Sequence, residues 1–243
     1  FLFGLAPHSL IDDPLAWHRH EMLFGFVGAA IAGFALTAVP NWTGRLPIAG
    51  APLAALFAIW AAGRILPFVS SDENFFLIAL DGGFYILLAG LLAREILQSS
   101  NRNLPVVAVL AFFGIADLLD RAAMAGHTDI GAIGWQSGLA LVVFLISIIG
   151  GRIVPSFTRN WLAAQNAGEP LPTQPGLMDK LVLALTLVAL LLWLAAPSTL
   201  LAGSALSIAA IGQLARLLRW QGWRCRSNPL LIVLHLGYLW VPT

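Results

Sequence analysis

Recurring apolar stretches, each close to the length that crosses a bilayer, constrain this chain more than any other feature. Gly, Pro and polar residues separate them, and a helix needs about 20 apolar residues to span a hydrocarbon core about 30 Å thick. The residues are 59% hydrophobic and 10% charged, with a mean hydropathy of +0.85. This composition excludes a soluble domain and predicts an all-α, polytopic integral membrane helix bundle. The net charge of +1 gives no indication of a nucleic-acid partner, so the lipid bilayer is the expected surrounding.

We expect about eight membrane spans in a single transmembrane domain that covers residues 1–243. The spans are predicted at 18–39, 52–69, 75–98, 104–125, 131–154, 178–196, 199–220 and 229 to the end. Because the chain both starts and stops within an apolar run, we expect it to be a fragment of a longer protein.

The positive charges are distributed unequally between the two predicted sides of the membrane. The connections on one side carry ten of the thirteen Lys and Arg residues, and the other side has only Arg19, Arg64 and Arg121. Positive residues accumulate on the cytoplasmic side of membrane proteins. The end of the first span that contains His18 and His20 is therefore expected to face outward.

Two helix ends resemble each other four spans apart. Residues 39–43 and 154–158 both read Val-Pro-x-aromatic-Thr. Helices four spans apart cross the membrane in the same direction. The two motifs would therefore fit a parallel repeat of about four spans, with one copy at 17–130 and the other at 135–243. The alternative is chance reuse of a helix end that is terminated by proline.

Four residues with metal-ligating chemistry lie at the start of the first span: His18, His20, Glu21 and Met22. Two imidazoles, a carboxylate and a thioether exceed what an interfacial anchor requires, so we expect a metal site, with anchoring as the alternative. His127, at the same predicted side, could complete the ligand set. The soft sulfur of Met22 favours copper over magnesium or calcium.

His235 and Tyr238 form a second candidate site within the last span. A lone imidazole in an apolar helix is a known haem or metal ligand, and Tyr238 would add a hydroxyl nearby. A histidine hydrogen-bonded across helices is the alternative. At 1.5 Å per residue, His235 should lie about 10 Å inside the cytoplasmic face, whereas His20 lies at the outer one. The two histidines are therefore expected to serve separate sites.

Several charged residues fall within predicted spans, where an ionisable group is costly and is usually paired or functional. Asp117 and Arg121 lie four residues apart, and a structural pair between them is favoured, with Asp120 beside it. Asp81 has no partner nearby in sequence, so a contact with another helix and proton conduction are equally favoured. Arg64 is expected to extend toward the membrane surface, with binding of an anionic group as the alternative.

Cys225 is the only cysteine, which excludes an internal disulfide and a CxxCH haem attachment. It lies between Arg224 and Arg226. We therefore expect a reduced thiol that faces the cytoplasm.

Four motifs, occurring in order, resemble the NnrS family. They are W-H-x-H-E-M-L-F-G at 17–25, the Gly-Phe to Pro-Asn-Trp-Thr-Gly run at 33–44, G-G-R-I-V-P-S-F-T-R-N at 150–160 and L-H-L-G-Y at 234–238. The resemblance extends over most of the chain. It implies a bacterial inner-membrane protein that contains haem and copper and that functions in nitric oxide metabolism and tolerance of nitrosative stress.

The resemblance, combined with the residues, gives the leading hypothesis: a haem- and copper-containing membrane protein whose ligand is nitric oxide or another small apolar molecule. Haem is assigned to His235 with Tyr238. Copper is assigned to the predicted metal site at the start of the first span, which comprises His18, His20, Glu21, Met22 and His127. One alternative is a proton-coupled transporter or channel that uses Glu21, Asp81 and Asp117. Another is a non-catalytic metal-binding scaffold. The sequence identifies no catalytic residue.

Overall fold

The computed structural model describes residues 13–68, 75–101, 103–126 and 132–243. Within these residues the chain forms eight helices and two short 3₁₀ turns. The helices are α1 Pro14–Thr43, α2 Ala51–Ile65, α3 Phe75–Gln98, α4 Leu104–Met124, α5 Ile133–Ala164, α6 Leu177–Ala195, α7 Leu200–Arg219 and α8 Pro229–Leu239. The 3₁₀ turns are Leu66–Phe68 and Gly222–Cys225. Each predicted span overlaps one helix, although α5 continues from the predicted end at 154 to Ala164. The all-α prediction is confirmed.

Among the described helices, α1, α3, α5, α6 and α7 are long and apolar enough to cross a membrane. The predicted count of about eight spans is therefore not supported. Helix α2 has 15 residues and α8 has 11, both fewer than a bilayer requires. Helix α4 is long enough, but it carries Asp117, Asp120 and Arg121 close together. Many large apolar side chains are exposed, for example Leu200 and Trp240, as expected of surfaces that contact lipid.

The chain divides into two compact units, Phe1–Leu141 and Val142–Thr243, and the boundary falls inside α5. Each unit contains one copy of the Val-Pro-x-aromatic-Thr motif. In both copies the Thr hydroxyl donates to the Val carbonyl four residues earlier, Thr43 to Val39 and Thr158 to Val154, at 2.8 Å. The two motifs therefore share a local structure, while the single domain and the parallel repeat stay predictions.

Helix α1 has well-defined ends. Asp13 Oδ1 accepts from the amides of Leu15 and Ala16 at 3.0 Å, which caps the first turn ahead of Pro14. Gly44, with φ +69°, ends the helix in the left-handed conformation that glycine adopts without strain.

In the first unit, α3 and α4 approach each other closely where Gly82 faces Gly114. A Cβ atom on Gly82 would lie 2.5 Å from the Gly114 carbonyl oxygen, so the two backbones touch there. Small residues permit this approach in membrane helices. Asp81 precedes Gly82, and Asp117 lies about one turn after Gly114, so the contact brings both carboxylates into one interface.

Candidate metal centre

Helix α1 changes geometry directly after His20, because residues Glu21–Val27 form a π-helical segment. The Tyr85 hydroxyl donates a hydrogen bond to the Phe24 carbonyl within this segment. A Cβ on Gly28 would lie 2.0 Å from the Tyr85 hydroxyl oxygen, so only glycine leaves room for it. Such π-helical turns are frequent at functional sites, and here Tyr85 stabilises one beside His20.

His20 is fully buried and contacts three aspartates from two other helices. Its Nδ1 lies 2.9 Å from Asp120 Oδ2. Its Nε2 lies 3.1 Å from Asp81 Oδ2 and 3.4 Å from Asp117 Oδ1. Helices α1, α3 and α4 therefore converge on one imidazole. We refer to His20, Asp81, Asp117 and Asp120 as the acidic cluster.

Two arginines bind the edge of the acidic cluster. Arg19 Nη2 lies 3.2 Å from Asp120 Oδ1. The Arg64 guanidinium pairs with Asp81 through one nitrogen and with Glu21 Oε2, at 3.1 Å, through the other. The prediction that Arg64 extends to the membrane surface is wrong, because two carboxylates hold it inward.

Asp117 differs from the other three members of the cluster. It is fully buried, and neither of its carboxylate oxygens has a hydrogen-bond partner among the described residues. The predicted pair with Arg121 therefore supplies no hydrogen bond to it. Ligand atoms of His20, Asp81 and Asp117 lie within 4.8 Å of one another, a spacing that a metal ion could bridge. A cation there would compensate a buried charge that is otherwise costly.

His235, in the second unit, has a different environment. Its Nε2 lies 2.9 Å from the Thr158 hydroxyl. A Cβ on Gly222 would lie 2.7 Å from the imidazole ring, so the turn Gly222–Cys225 packs directly against it. The ring is thus hydrogen-bonded to another helix, which is the alternative considered for this residue.

Tyr238 belongs to a hydrogen-bond network in the second unit, centred on the buried guanidinium of Arg216. Arg216 Nε donates to Asp179 Oδ1 at 2.9 Å. Its Nη1 donates to Gln213 Oε1 at 2.9 Å, to the Tyr238 hydroxyl at 3.0 Å and to the Ser147 carbonyl at 3.3 Å. Tyr238 in turn donates to Gln213 Oε1 at 2.7 Å. We refer to Arg216, Asp179, Gln213, Tyr238 and the Ser147 carbonyl as the arginine network.

The NnrS protein family model matches residues 1–243. The chain belongs to the NnrS family. No curated protein and no solved structure matches it.

In this NnrS family protein, the residues predicted for a metal site at the start of the first span differ in burial and do not all lie in the acidic cluster. His20 lies inside the acidic cluster, and Glu21 joins it through Arg64. His18 and Met22 are exposed, Met22 by 48%, unlike the fully buried His20. His127 lies outside the described residues. The ligand roles of these residues stay predictions.

The other members of the acidic cluster were visible in the sequence only as charges inside apolar spans. Of the two interpretations left open for Asp81, the structure shows the contact with another helix. Asp120 was expected only as a neighbour of the Asp117 and Arg121 pair, whereas it binds His20. A common signal existed: Asp81 and Asp117 lie close to glycines on adjacent helices, and glycines mark close helix contacts.

Proposed function

We propose that this NnrS family protein is a multi-pass membrane metalloprotein that takes part in nitric oxide metabolism and in resistance to nitrosative stress. The observation that carries the proposal is Asp117, a fully buried carboxylate without hydrogen bonds from the described residues, within 3.4 Å of His20 Nε2. Nitric oxide is small and apolar, so it enters a bilayer freely and needs no charged path to a buried centre. We also propose a bacterial inner membrane location with His18 and His20 facing outward, on the distribution of Lys and Arg.

Copper is one metal that the family resemblance implies. His20, Asp81 and Asp117 would hold the ion, and their nitrogen and oxygen donors are compatible with Cu(II). Cu(I) prefers sulfur ligands, and the only sulfur predicted for the site, Met22, is half exposed. When bound, the metal would supply the site for nitric oxide binding or one-electron chemistry.

The surrounding residues fix the ligands and exclude water. The Phe24 ring centroid lies 5.1 Å from that of His20, and Phe113 packs behind it at 5.0 Å. These rings close the apolar side of the cluster. Arg64, shared by Asp81 and Glu21, restrains the Asp81 carboxylate from the other side.

Haem is the second group that the resemblance implies, and the residues around His235 do not fit it. An axial imidazole must present a free nitrogen to open space for the macrocycle. Here Nε2 is hydrogen-bonded to Thr158, and the ring packs against Gly222 with no room for even one added carbon. The proposed function therefore includes no step at a haem held by His235 and Tyr238.

A second candidate function is a carrier that moves a cation through the membrane. The observation that favours it is the convergence of Asp81 and Asp117 on His20, with Glu21 joined through Arg64. Buried carboxylates of this kind mark cation pathways in transporters. A carrier would not need a resident metal.

Metal content and nitric oxide consumption of the purified full-length protein test the proposal. We expect the wild-type protein to retain metal and consume nitric oxide, and Asp117→Asn to lose both by at least tenfold. Glu95→Gln changes a carboxylate on the same helix as Asp81 that pairs with Arg45 outside the cluster, so it should behave like wild type. A folded, metal-free wild-type protein that moves a cation into vesicles would overturn the proposal in favour of the carrier.

A further inference from the structure

The metal-binding atoms of the acidic cluster form an oxygen-rich donor set. Asp81 and Asp117 offer carboxylate oxygens, and His20 offers one imidazole nitrogen. Of the two sulfur-bearing residues considered in the sequence, Met22 is 48% exposed, and Cys225 lies in the second unit, buried with Leu162 and Leu231. Carboxylates suit hard cations, and imidazole extends the range to borderline ones.

Asp120 determines which nitrogen of His20 faces those carboxylates. One of its oxygens lies 2.9 Å from Nδ1, and Arg19 holds the other at 3.2 Å. A carboxylate so placed accepts the Nδ1 hydrogen and fixes that tautomer. The Nε2 lone pair then points at Asp81 and Asp117, an unfavourable contact unless a proton or a metal cation lies between them.

A proton on Nε2 would satisfy only part of this arrangement. It could be donated to Asp81 at 3.1 Å, and Asp117 would keep two buried oxygens without a hydrogen bond from the described residues. A divalent cation contacts all three groups at once and balances two carboxylate charges. Arg64 and Arg19 then remain as partners for Glu21 and Asp120.

We infer that His20 Nε2, Asp81 and Asp117 form a non-haem site for a divalent cation of the hard to borderline class, represented by Mn²⁺ and Fe²⁺, and that Asp120 is its positioning residue. This inference deepens the metal centre of the proposed function and rests on it for the location of the ion. It differs from the haem and copper that the family resemblance implies. A histidine ligand that donates its second N–H to a carboxylate is the usual arrangement around such ions, and loss of the carboxylate typically weakens binding about 10–100-fold.

Titration of the metal-stripped full-length protein in detergent with Mn²⁺, followed by electron paramagnetic resonance, tests the inference. We expect one tightly bound Mn²⁺ per chain. Asp117→Asn should weaken binding at least tenfold, and because this residue has no hydrogen bonds to the described residues to lose, the variant should fold. Glu95→Gln is the matched control and should bind Mn²⁺ like wild type.

The role of Asp120 needs a readout that a purely structural residue would not change. Asp120→Asn retains an oxygen that can accept from Nδ1, whereas Asp120→Ala does not. Affinity for Mn²⁺ should therefore fall in the order wild type, Asp120→Asn, Asp120→Ala, and the resonance of the bound ion should change shape in both variants. Equal affinity in all three proteins would overturn the positioning role.

Two outcomes separate this inference from the proposed function. Equal Mn²⁺ affinity in wild type and Asp117→Asn, in a protein that consumes nitric oxide with another bound metal, would overturn the inference and keep the function. Tight Mn²⁺ binding that depends on Asp117, in a protein that does not consume nitric oxide, would keep the site and overturn the function.

Discussion

The two units bury charge in opposite ways. In the second unit, a single guanidinium, that of Arg216, lies among an aspartate, an amide, a hydroxyl and a backbone carbonyl, all within hydrogen-bonding distance. In the first unit, three aspartates surround one imidazole, and Asp117 accepts no hydrogen bond from the described residues. In the arginine network, Nε and Nη1 of the buried cation both donate to acceptors. In the acidic cluster, the described residues supply donors to Asp81 and Asp120 but none to Asp117.

The difference separates a structural role from a binding role. A buried polar network in which every group has a partner makes the fold rigid, because any rearrangement leaves a charge unpaired. A network with a missing partner stores an unfavourable energy that a ligand of the opposite charge relieves on binding. We therefore expect substitutions in the arginine network to affect stability, and substitutions in the acidic cluster to affect metal binding.

Arg216→Met gives the largest expected effect. It leaves the Asp179 carboxylate buried without its nearest cation, and breaking a buried ion pair from one side costs about 3–5 kcal/mol. Thermal or denaturant unfolding of the purified protein in detergent measures the loss. The double variant Arg216→Met with Asp179→Leu removes both charges and should recover most of it. If the single variant unfolded like wild type, the arginine network would not be structural.

Gly151→Ala should have the next largest effect. A Cβ at this position would lie 1.9 Å from Arg216 Nη2, so the guanidinium would have to move away from its acceptors. Overpacking of this kind typically costs about 1–3 kcal/mol. A Cβ on Gly203, on α7 of the same unit, would meet no heavy atom of the described residues within 4 Å, so Gly203→Ala is a matched control that should not destabilise. Equal unfolding midpoints for the two variants would contradict the tight contact.

Asp117→Asn should change stability in the opposite direction to Arg216→Met. Replacing a buried carboxylate that accepts no hydrogen bond from the described residues by a neutral amide removes a costly charge, so the metal-free protein should gain about 1 kcal/mol. Unfolding of chelator-treated protein measures this gain. Adding Mn²⁺ should reverse the order, because only the wild-type site binds the ion tightly. Destabilisation of the metal-free variant would show that Asp117 has a structural partner.

The positions of the helices were largely predictable, whereas the number that can span a membrane was not. Apolar runs and the Gly and Pro residues between them located seven of the eight described helices to within about four residues at each end, whereas α5 continues from the predicted end at 154 to Ala164. The lengths of the helices were harder to predict: α8, predicted to run from 229 to the end, stops at Leu239. Helix α4 was also predicted as a span although Asp117, Asp120 and Arg121 lie close together in it, and these three charges set it apart from the five helices that can cross a membrane.

The acidic cluster was only partly predictable, because its members come from three helices that are distant in sequence. The motif around His20 was correctly selected as chemically unusual, but local spacing gave no means of pairing it with Asp81 or Asp120. Helical periodicity instead favoured the pair of Asp117 and Arg121, since residues four apart share a face. The closeness of α3 and α4 at Gly82 overrides that local pattern. Arg64 was misassigned for the same reason, since its partners lie on α1 and α3.

The smallest expected effect concerns Cys225, which tests how tightly the second unit is packed. The thiol was expected to face the cytoplasm, and it is instead fully buried, in contact with Leu162 and Leu231. Burial raises the pKa of the Cys225 thiol, and neighbouring Arg224 opposes this only in part. Because the thiolate is the reactive form, a raised pKa leaves less of it at pH 8, and labelling should become appreciable only at higher pH.

We expect a maleimide to label native protein at pH 8 at least tenfold more slowly than protein unfolded in dodecyl sulfate. In Arg216→Met, we expect a smaller ratio between the labelling rates of unfolded and native protein, because loss of the arginine network should loosen the unit that also buries Cys225. Equal labelling of native and unfolded wild type would show that the thiol is open to solvent.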